Sequence, residues 1–127
     1  MLGRYKIYRG KRAPDDPMPE GIRQDTRFRT KHPLRPTAEL VEAYLESVDD
    51  NAAWQRFSKA YLALLAERFA ADREPFDALA AAAMNGDVYL GCSCPTQKNP
   101  RVEHCHTYLA LQFMKRKYAK LKVVLPG

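Results

Sequence analysis

The sequence predicts an α/β protein: one compact domain over residues 1–127, with a small, mostly parallel sheet flanked by helices. Two patterns lead to this fold class. Apolar stripes with helical spacing fill residues 37–84, and a short apolar run at residues 88–92 follows them directly, as expected of a strand covered on both faces. A helix and a strand then complete a C-terminal βαβ unit with a right-handed crossover. A chain of 127 residues has the usual size of one domain.

Two short strands are predicted in the N-terminal third of the chain. Residues 5–8 alternate apolar and basic side chains, and residues 22–28 form a second, more polar candidate. Residues 11–21 contain three prolines, two aspartates and a glycine, which indicates a loop. Residues 32–36 interrupt regular structure with two prolines, and His32 beside them is interpreted as an ordinary loop residue.

Three helices are predicted before residue 86. Thr37 caps the first, since its hydroxyl can accept an early backbone N–H, and residues 49–51 end that helix and cap the second. Pro75 suits the first turn of the third helix, and Gly86 suits its C-terminal cap. We assign the apolar stripes to the core: Leu40, Val41, Tyr44, Leu45 and Val48 in the first helix, and Trp54, Phe57, Tyr61, Leu64, Leu65 and Phe69 in the second.

The C-terminal third predicts the βαβ unit. Its first strand is residues 88–92, and its helix begins at Asn99 and Pro100 or later, near Glu103. Residues 121–125 form the closing strand, which the terminal Pro-Gly stops. The inner face of the helix holds Ala110, Phe113, Met114, Lys117 and Tyr118.

The composition restricts the classes of protein. No apolar run approaches the roughly 20 residues of a membrane span. The N-terminus lacks the continuous apolar stretch of a signal peptide. Three cysteines do not build the disulfide framework of a secreted domain. We therefore expect a reduced, cytoplasmic protein without membrane contact, and the sequence leaves its oligomeric state open.

The net charge of +6 is unevenly distributed. Residues 1–36 and 95–127 each carry +6, whereas residues 37–94 carry −6. Basic ends that meet in the fold would build a positive face, although such runs are common on ordinary solvated surfaces. An alternative function is therefore a nucleic-acid-binding accessory domain, whose phosphate contacts would be Arg4, Lys6, Arg9, Lys98, Arg101, Lys115, Arg116 and Lys120.

All three cysteines and two of the three histidines lie between residues 92 and 106. Ligands of open α/β sheets bind beyond the carboxyl ends of the strands, and the N-terminus of the next helix favours an anion there. A thiol in that position beside a histidine would have a lowered pKa. The sequence therefore predicts an enzyme or a binder of a small anionic or nucleotide-like ligand. Candidate ligand contacts are Ser93, Lys98, Arg101, His104 and Cys105.

Side-chain direction suggests the roles within this cluster. Cys92 and Cys94 share one face of a strand, whereas His104 and His106 lie about 200° apart on a helix unless that helix begins late. Cys105 leans towards the core. We therefore favour Cys94 as nucleophile and His106 as its base, with Cys92 behind them. Asp25 and Arg27 assist if the second strand ends at the same edge of the sheet.

Two other interpretations of the cluster stay open at this stage. Thiolate and imidazole are suitable zinc ligands, and Cys92, Cys94, Cys105 and His106 supply four, although their spacing is not that of a familiar zinc finger. In this interpretation the protein is a structural module that zinc stabilises, and the site does not catalyse a reaction. Alternatively, the thiols are small buried hydrophobes, and the imidazoles are merely hydrogen-bonded.

The motif resembles the domain of unknown function 4326 family, in which a strand ends in Gly-Cys-x-Cys and Cys-His opens the next helix. Gly91, Cys92, Cys94, Cys105 and His106 match it. The segment from Trp54 through the strand is also similar to the domain of unknown function 488 family, and residues 25–27 correspond to an Asp-x-Arg strand end there. Both resemblances imply a compact α/β domain with a cysteine and histidine site of undefined activity.

Overall fold

The computed structural model describes residues 1–47 and 51–126. It confirms the predicted fold class, with a three-stranded parallel sheet and four α-helices in one compact unit. A single 3₁₀ turn precedes the last helix. In chain order the elements are β1 (Leu2–Lys6), β2 (Ile22–Asp25), α1 (Ala38–Glu46), α2 (Asn51–Ala71), α3 (Glu74–Asn85), β3 (Val88–Cys92), the 3₁₀ turn (Val102–His104) and α4 (His106–Lys117).

The apolar strand β3 lies in the middle of the sheet, which has the order β1-β3-β2. Val88 and Leu90 are fully buried, as predicted for a strand covered on both faces. The register pairs Lys6 with Cys92 and Asp25 with Gly91. Because all three strands are parallel, their carboxyl ends meet at one edge of the sheet, which we call the crest.

Both N-terminal strands differ from their predicted bounds. β1 starts at Leu2 rather than at residue 5, because Leu2 is fully buried and starts the pairing with β3. β2 starts at residue 22 as predicted but ends at Asp25 rather than at residue 28. The Asp25 carboxylate accepts the backbone N–H of Arg27 at 3.0 Å, and this local turn stops the strand.

The closing strand predicted at residues 121–125 is reduced to one parallel bridge, between Val123 and Leu2. Leu2 donates its N–H to Lys122 O at 2.8 Å and accepts that of Val124 at 2.9 Å. The chain therefore returns beside β1 and not beside β3. The predicted βαβ unit consequently closes with a bridge at the edge of the sheet opposite the crest.

The helices α2 and α3 follow the predicted pattern, whereas in α1 Tyr44 is buried but Leu45, assigned to the core, is 41% exposed. Thr37 Oγ1 accepts the N–H of Leu40 at 3.2 Å, so the predicted cap is confirmed. The α2 side chains Phe57, Tyr61 and Leu65 are buried, and the aromatic row is core as predicted. Gly86 caps α3 with extended backbone. α1 ends at Glu46, before the predicted end at residues 49–51; Asn51 is the first residue of α2, and residues 48–50 lie outside the described residues.

The helix α4 begins later than either predicted start. Thr96 and Asn99 exchange backbone hydrogen bonds of 3.0 and 3.2 Å, which closes a turn where the helix was expected. The 3₁₀ turn follows, and Cys105, with φ −109° and ψ 146°, is the extended residue before α4. Cys105 therefore stands outside the helix, at the crest, and His106 is the first helical residue.

Among the described residues, no helix has both the length and the apolarity required to cross a bilayer.

The neutral imidazole of His32 connects its loop to β2 through hydrogen bonds. Its Nδ1 accepts the backbone N–H of Leu34 at 3.1 Å, so Nε2 carries the proton and donates to Gln24 Oε1 at 2.6 Å. Burial, and next the neighbouring charge of His106, lower the pKa of His32 to about 4 from an ordinary 6.5. The imidazole is therefore structural rather than an ordinary loop side chain.

We expect a pH-dependent loss of stability from His32. The unfolded chain takes up a proton near pH 6.5 and the folded chain only near pH 4, so stability falls as the pH is lowered through this range. The loss is up to about 3 kcal/mol relative to His32→Asn, whose amide oxygen can still accept the N–H of Leu34. Urea unfolding of both proteins at pH 7 and pH 4.5 measures it. Parallel changes in the two proteins would contradict the assignment.

Candidate metal centre

The three cysteines converge at the crest. Cys92 ends β3, Cys94 follows two residues later, and Cys105 comes from the residue before α4. Their three Sγ atoms all lie within 4.8 Å of one another. Cys92 and Cys105 are buried, and Cys94 is half-buried. The two segments meet because β3 and the start of α4 reach the same edge of the sheet.

His106 belongs to this cluster through its Nδ1 atom. The hydroxyl of Thr26 donates its only proton to Gly91 O at 2.9 Å, and the same oxygen lies 2.8 Å from His106 Nε2. Nε2 must therefore carry the proton of that second bond. In the neutral imidazole Nδ1 is then an unprotonated acceptor, 3.9 Å from Cys105 Sγ. Thr26 thereby leaves the lone pair of Nδ1 available to Cys105 Sγ.

Two further side chains direct hydrogen-bond donors at the sulfurs. Asn99 uses both amide protons, one on Cys94 Sγ at 3.3 Å and one on His104 O at 2.8 Å. Thr107 Oγ1 donates to Cys105 Sγ at 3.2 Å. N–H and O–H donors favour the anionic form of a sulfur. Two of the three sulfurs therefore have a hydrogen-bond donor that would stabilise negative charge on them.

In this orientation the amide nitrogen of Asn99 makes two hydrogen bonds, but its amide oxygen makes none. Oδ1 is buried and has no hydrogen-bond partner in the described part of the chain. An unsatisfied buried acceptor costs about 1–3 kcal/mol. The fold therefore tolerates a strained polar arrangement in order to supply an N–H to Cys94, which is typical of a functional site.

A positive charge lies directly behind the sulfurs. The guanidinium of Arg4 donates through Nε to Thr107 Oγ1 at 2.9 Å and through Nη2 to Cys94 O at 2.7 Å. Through Thr107 this cation is one hydrogen bond removed from Cys105 Sγ. Arg4 therefore compensates negative charge that develops on the cluster.

The three thiols do not ionise alike. Hydrogen bonds from Cys92 and Cys94, opposed by burial and assisted by His106, hold the pKa of Cys105 well below its ordinary value. The hydrogen bond to Cys105 and burial raise the pKa of Cys94 to about 11. The pKa of Cys92 is raised for the same reasons. Without a counter-ion, the first negative charge of the cluster therefore settles on Cys105 rather than on the predicted nucleophile, Cys94.

The late start of α4 separates the two histidines. His104 stacks on Trp54, with ring centroids 4.7 Å apart, and its Nδ1 lies 3.2 Å from the hydroxyl of Tyr44. Both His104 and His106 nevertheless line one cavity of about 220 Å³, together with all three cysteines. The sulfur that His106 contacts is that of Cys105, at 3.9 Å, whereas the predicted partner of this histidine was Cys94.

The predicted Asp25–Arg27 pair also reaches the crest. Arg27 donates to both carboxylate oxygens of Asp25, with the closest approach at 2.8 Å, and through Nη1 to Ser93 Oγ at 3.3 Å. Burial opposes ionisation of Asp25, but the hydrogen bonds from Arg27 lower its pKa overall. Asp25 therefore orients the guanidinium. Arg27, Ser93 and Lys98 line the cavity, whereas Arg101 is an exposed residue before the 3₁₀ turn.

The eight basic residues suggested for nucleic acid do not share one surface. Lys6, Arg9 and Lys98 line a cleft at the crest, but Arg4 is directed inwards at the cysteines. Lys115 donates to Ala119 O and Leu121 O beyond the C-terminal end of α4, at the opposite edge of the sheet. Arg27, predicted at this edge with Asp25, also lines the crest cleft, as does Arg29, which was not predicted.

The fold and the cluster together define an α/β protein with a buried site of three cysteines and one histidine at the carboxyl ends of parallel strands. A family model described as "DUF488-N3a: Active DUF488-N3 subclade" matches residues 9–118, and the chain belongs to this family. The predicted relation to the 488 family is thereby confirmed at the level of the family. No curated protein and no solved structure gives a significant match.

Proposed function

We propose that Cys92, Cys94, Cys105 and His106 bind a zinc ion through three thiolates and Nδ1. The observation that carries this proposal is the convergence of three sulfurs within 4.8 Å of one another, with His106 Nδ1 at 3.9 Å from one of them, Cys105 Sγ. Sulfurs of a tetrahedral zinc site lie about 3.8 Å apart, because each Zn–S bond is about 2.3 Å long. Small side-chain rotations would bring the present sulfurs to that spacing.

The surroundings of the cluster suit a metal. Metal-bound histidines usually donate their second N–H to a fixed acceptor, and His106 does so to Thr26. Three thiolates, one neutral imidazole and Zn²⁺ carry a net charge of −1, which the guanidinium of Arg4 would balance. Soft thiolates with one imidazole select zinc over magnesium or calcium. A zinc ion with four protein ligands is structural, and this one would join the end of β3 to the start of α4.

Thiol chemistry at Cys94 is the second candidate function. The location of Cys94 favours it, since this thiol is half-buried on the cavity wall, next to Ser93 and near Arg27. Cys105, at 2% exposure, is out of reach of a substrate. In this function Cys94 would be the residue that contacts an anionic substrate, with His106 as the candidate base.

Metal analysis with thiol alkylation separates the two functions. Protein purified without chelator should contain about one zinc ion per chain, and cobalt in its place should give a tetrahedral spectrum with sulfur-to-cobalt charge transfer. Bound zinc should protect all three thiols from iodoacetamide, and chelation should release Cys94 first because it is the most exposed. Metal-free purified protein whose Cys94 alkylates faster than free cysteine would instead support the nucleophile.

Three reduced thiols suit a reducing compartment, so we retain a cytoplasmic location as part of the proposal. The Gly-Cys-x-Cys and Cys-His motifs supply the proposed ligands, and on this ground we also propose a relation to the 4326 family.

A further inference from the structure

An open cleft of about 1090 Å³ lies at the crest beside the cysteine cavity. Its described lining residues include five cations and no carboxylate. The last residue of β1 and the loops that follow β1, β2 and β3 supply the cations, because the carboxyl ends of the three parallel strands meet here. The cations are Lys6, Arg9, Arg27, Arg29 and Lys98.

Most of this charge is uncompensated. Arg27 is paired with Asp25 at 2.8 Å. Within residues 1–47 and 51–126, no carboxylate lies within 4.0 Å of the charged nitrogens of the other four cations. Four like charges around one cleft repel each other in the free protein, so a bound anion would stabilise them.

The cleft continues into the cysteine cavity. Both are lined by Arg27, Arg29, Ser93, Thr96 and Lys98, so these five residues form the passage between them. Beyond the passage, the wall opposite the cysteines is apolar and partly aromatic. It consists of Phe28, Pro36, Val41, Tyr44, Leu45 and Phe57.

Because a basic cleft adjoins an apolar cavity here, we infer that the crest binds a phosphate-bearing ligand with a flat apolar end, such as a nucleotide. Its phosphate groups occupy the basic cleft, where guanidinium groups bind them bidentately and the hydroxyls of Ser93 and Thr96 donate. Its base enters the cavity of about 220 Å³. Phe28 lies on the cavity wall, is 40% exposed and has the Arg29 guanidinium 5.7 Å from its ring centroid, so a base that stacks on this ring would lie close to that cation.

The ligand chemistry has two sources, a free nucleotide and the end of a nucleic-acid strand. Both present a terminal phosphate next to a base. A strand longer than the cavity would leave its remaining phosphates in the cleft and along Arg9. The chemistry is therefore the same, and only a comparison of the two probes distinguishes them.

Trp54 is the sole tryptophan of the chain and stacks on His104, which lines the cavity, so its fluorescence reports occupancy. Titrations with AMP, adenosine and inorganic phosphate test the two-part site. We expect AMP to bind at least about tenfold more tightly than either fragment, since each fragment fills one part only. A short oligonucleotide with a 5′-phosphate, compared with the same strand without it, tests the strand end.

Variants separate the two parts of the site. The double variant Arg29→Ala with Lys98→Ala should weaken AMP binding at least about tenfold, whereas Lys120→Ala, at the far edge of the sheet, should not. Val41→Phe should fill the cavity and abolish the advantage of AMP over phosphate. AMP and oligonucleotide that both bind no better than phosphate, or equal losses in the double variant and Lys120→Ala, would overturn the inference. Zinc content should be unchanged in all these variants, so failure here leaves the metal proposal standing.

Discussion

Replacing Cys105 with serine is expected to abolish zinc binding and to lower the melting temperature by about 10 °C or more. Cys105 joins the cluster from the α4 side, and His106 follows it directly. A hydroxyl is a poor zinc ligand, and loss of the zinc ion would remove the link between the end of β3 and the start of α4. Metal analysis and thermal unfolding, each with and without added chelator, measure the two effects.

Ser93→Ala is the matched control for this experiment. Ser93 lies between Cys92 and Cys94 in sequence, and its hydroxyl accepts from Arg27 rather than contacting a sulfur. It should keep its zinc and most of its stability, and chelator should lower its melting temperature as in the unmodified protein. Cys105→Ser protein that melts like Ser93→Ala and keeps its metal would rule out Cys105 as a ligand.

Thr26→Val should give the second-largest effect. Valine has the shape of threonine but cannot accept the Nε2–H of His106, so a buried donor loses its partner at a cost of about 1–3 kcal/mol. The imidazole also loses the contact that fixes its tautomer, and we expect zinc affinity to fall by about 10- to 100-fold. Competition with a chromophoric chelator measures this affinity.

Thr26→Ser serves as the control, because serine retains the hydroxyl and removes only a methyl group. Its zinc affinity should stay within about threefold of that of the unmodified protein. If valine and serine weaken the metal equally, Thr26 acts through packing alone, and the orientation assigned to His106 is wrong.

The sequence predicted the parts of the fold that depend on local patterns. The apolar run of β3 has no polar face, so it required a position in the middle of the sheet. The aromatic row of α2 likewise required burial in the core. The closing strand failed as a prediction because residues 121–125 have strand composition, yet one bridge to Leu2 is all the pairing that forms. Pairing depends on what lies beside a segment, which composition does not contain.

The site was predictable as a set of residues and less so as a geometry. Cysteine spacing identified the cluster. The angle predicted between His104 and His106 depended on where α4 begins, and its late start follows from a turn between Thr96 and Asn99 that the sequence did not reveal. Thr26 and Asn99 escaped notice as site residues. A threonine at a strand end and an asparagine in a loop are common, and only the contacts with His106 and Cys94 mark them.

The most direct test of the zinc centre is X-ray absorption at the zinc edge of the purified protein. We predict a first shell of three sulfurs at about 2.3 Å and one nitrogen at about 2.0 Å. His106→Ala should leave the three sulfurs in place and abolish the outer-shell scattering of the imidazole ring, with a water oxygen in place of the nitrogen. A first shell of oxygen and nitrogen alone, or protein that contains no zinc when prepared in its presence, would contradict the proposed centre.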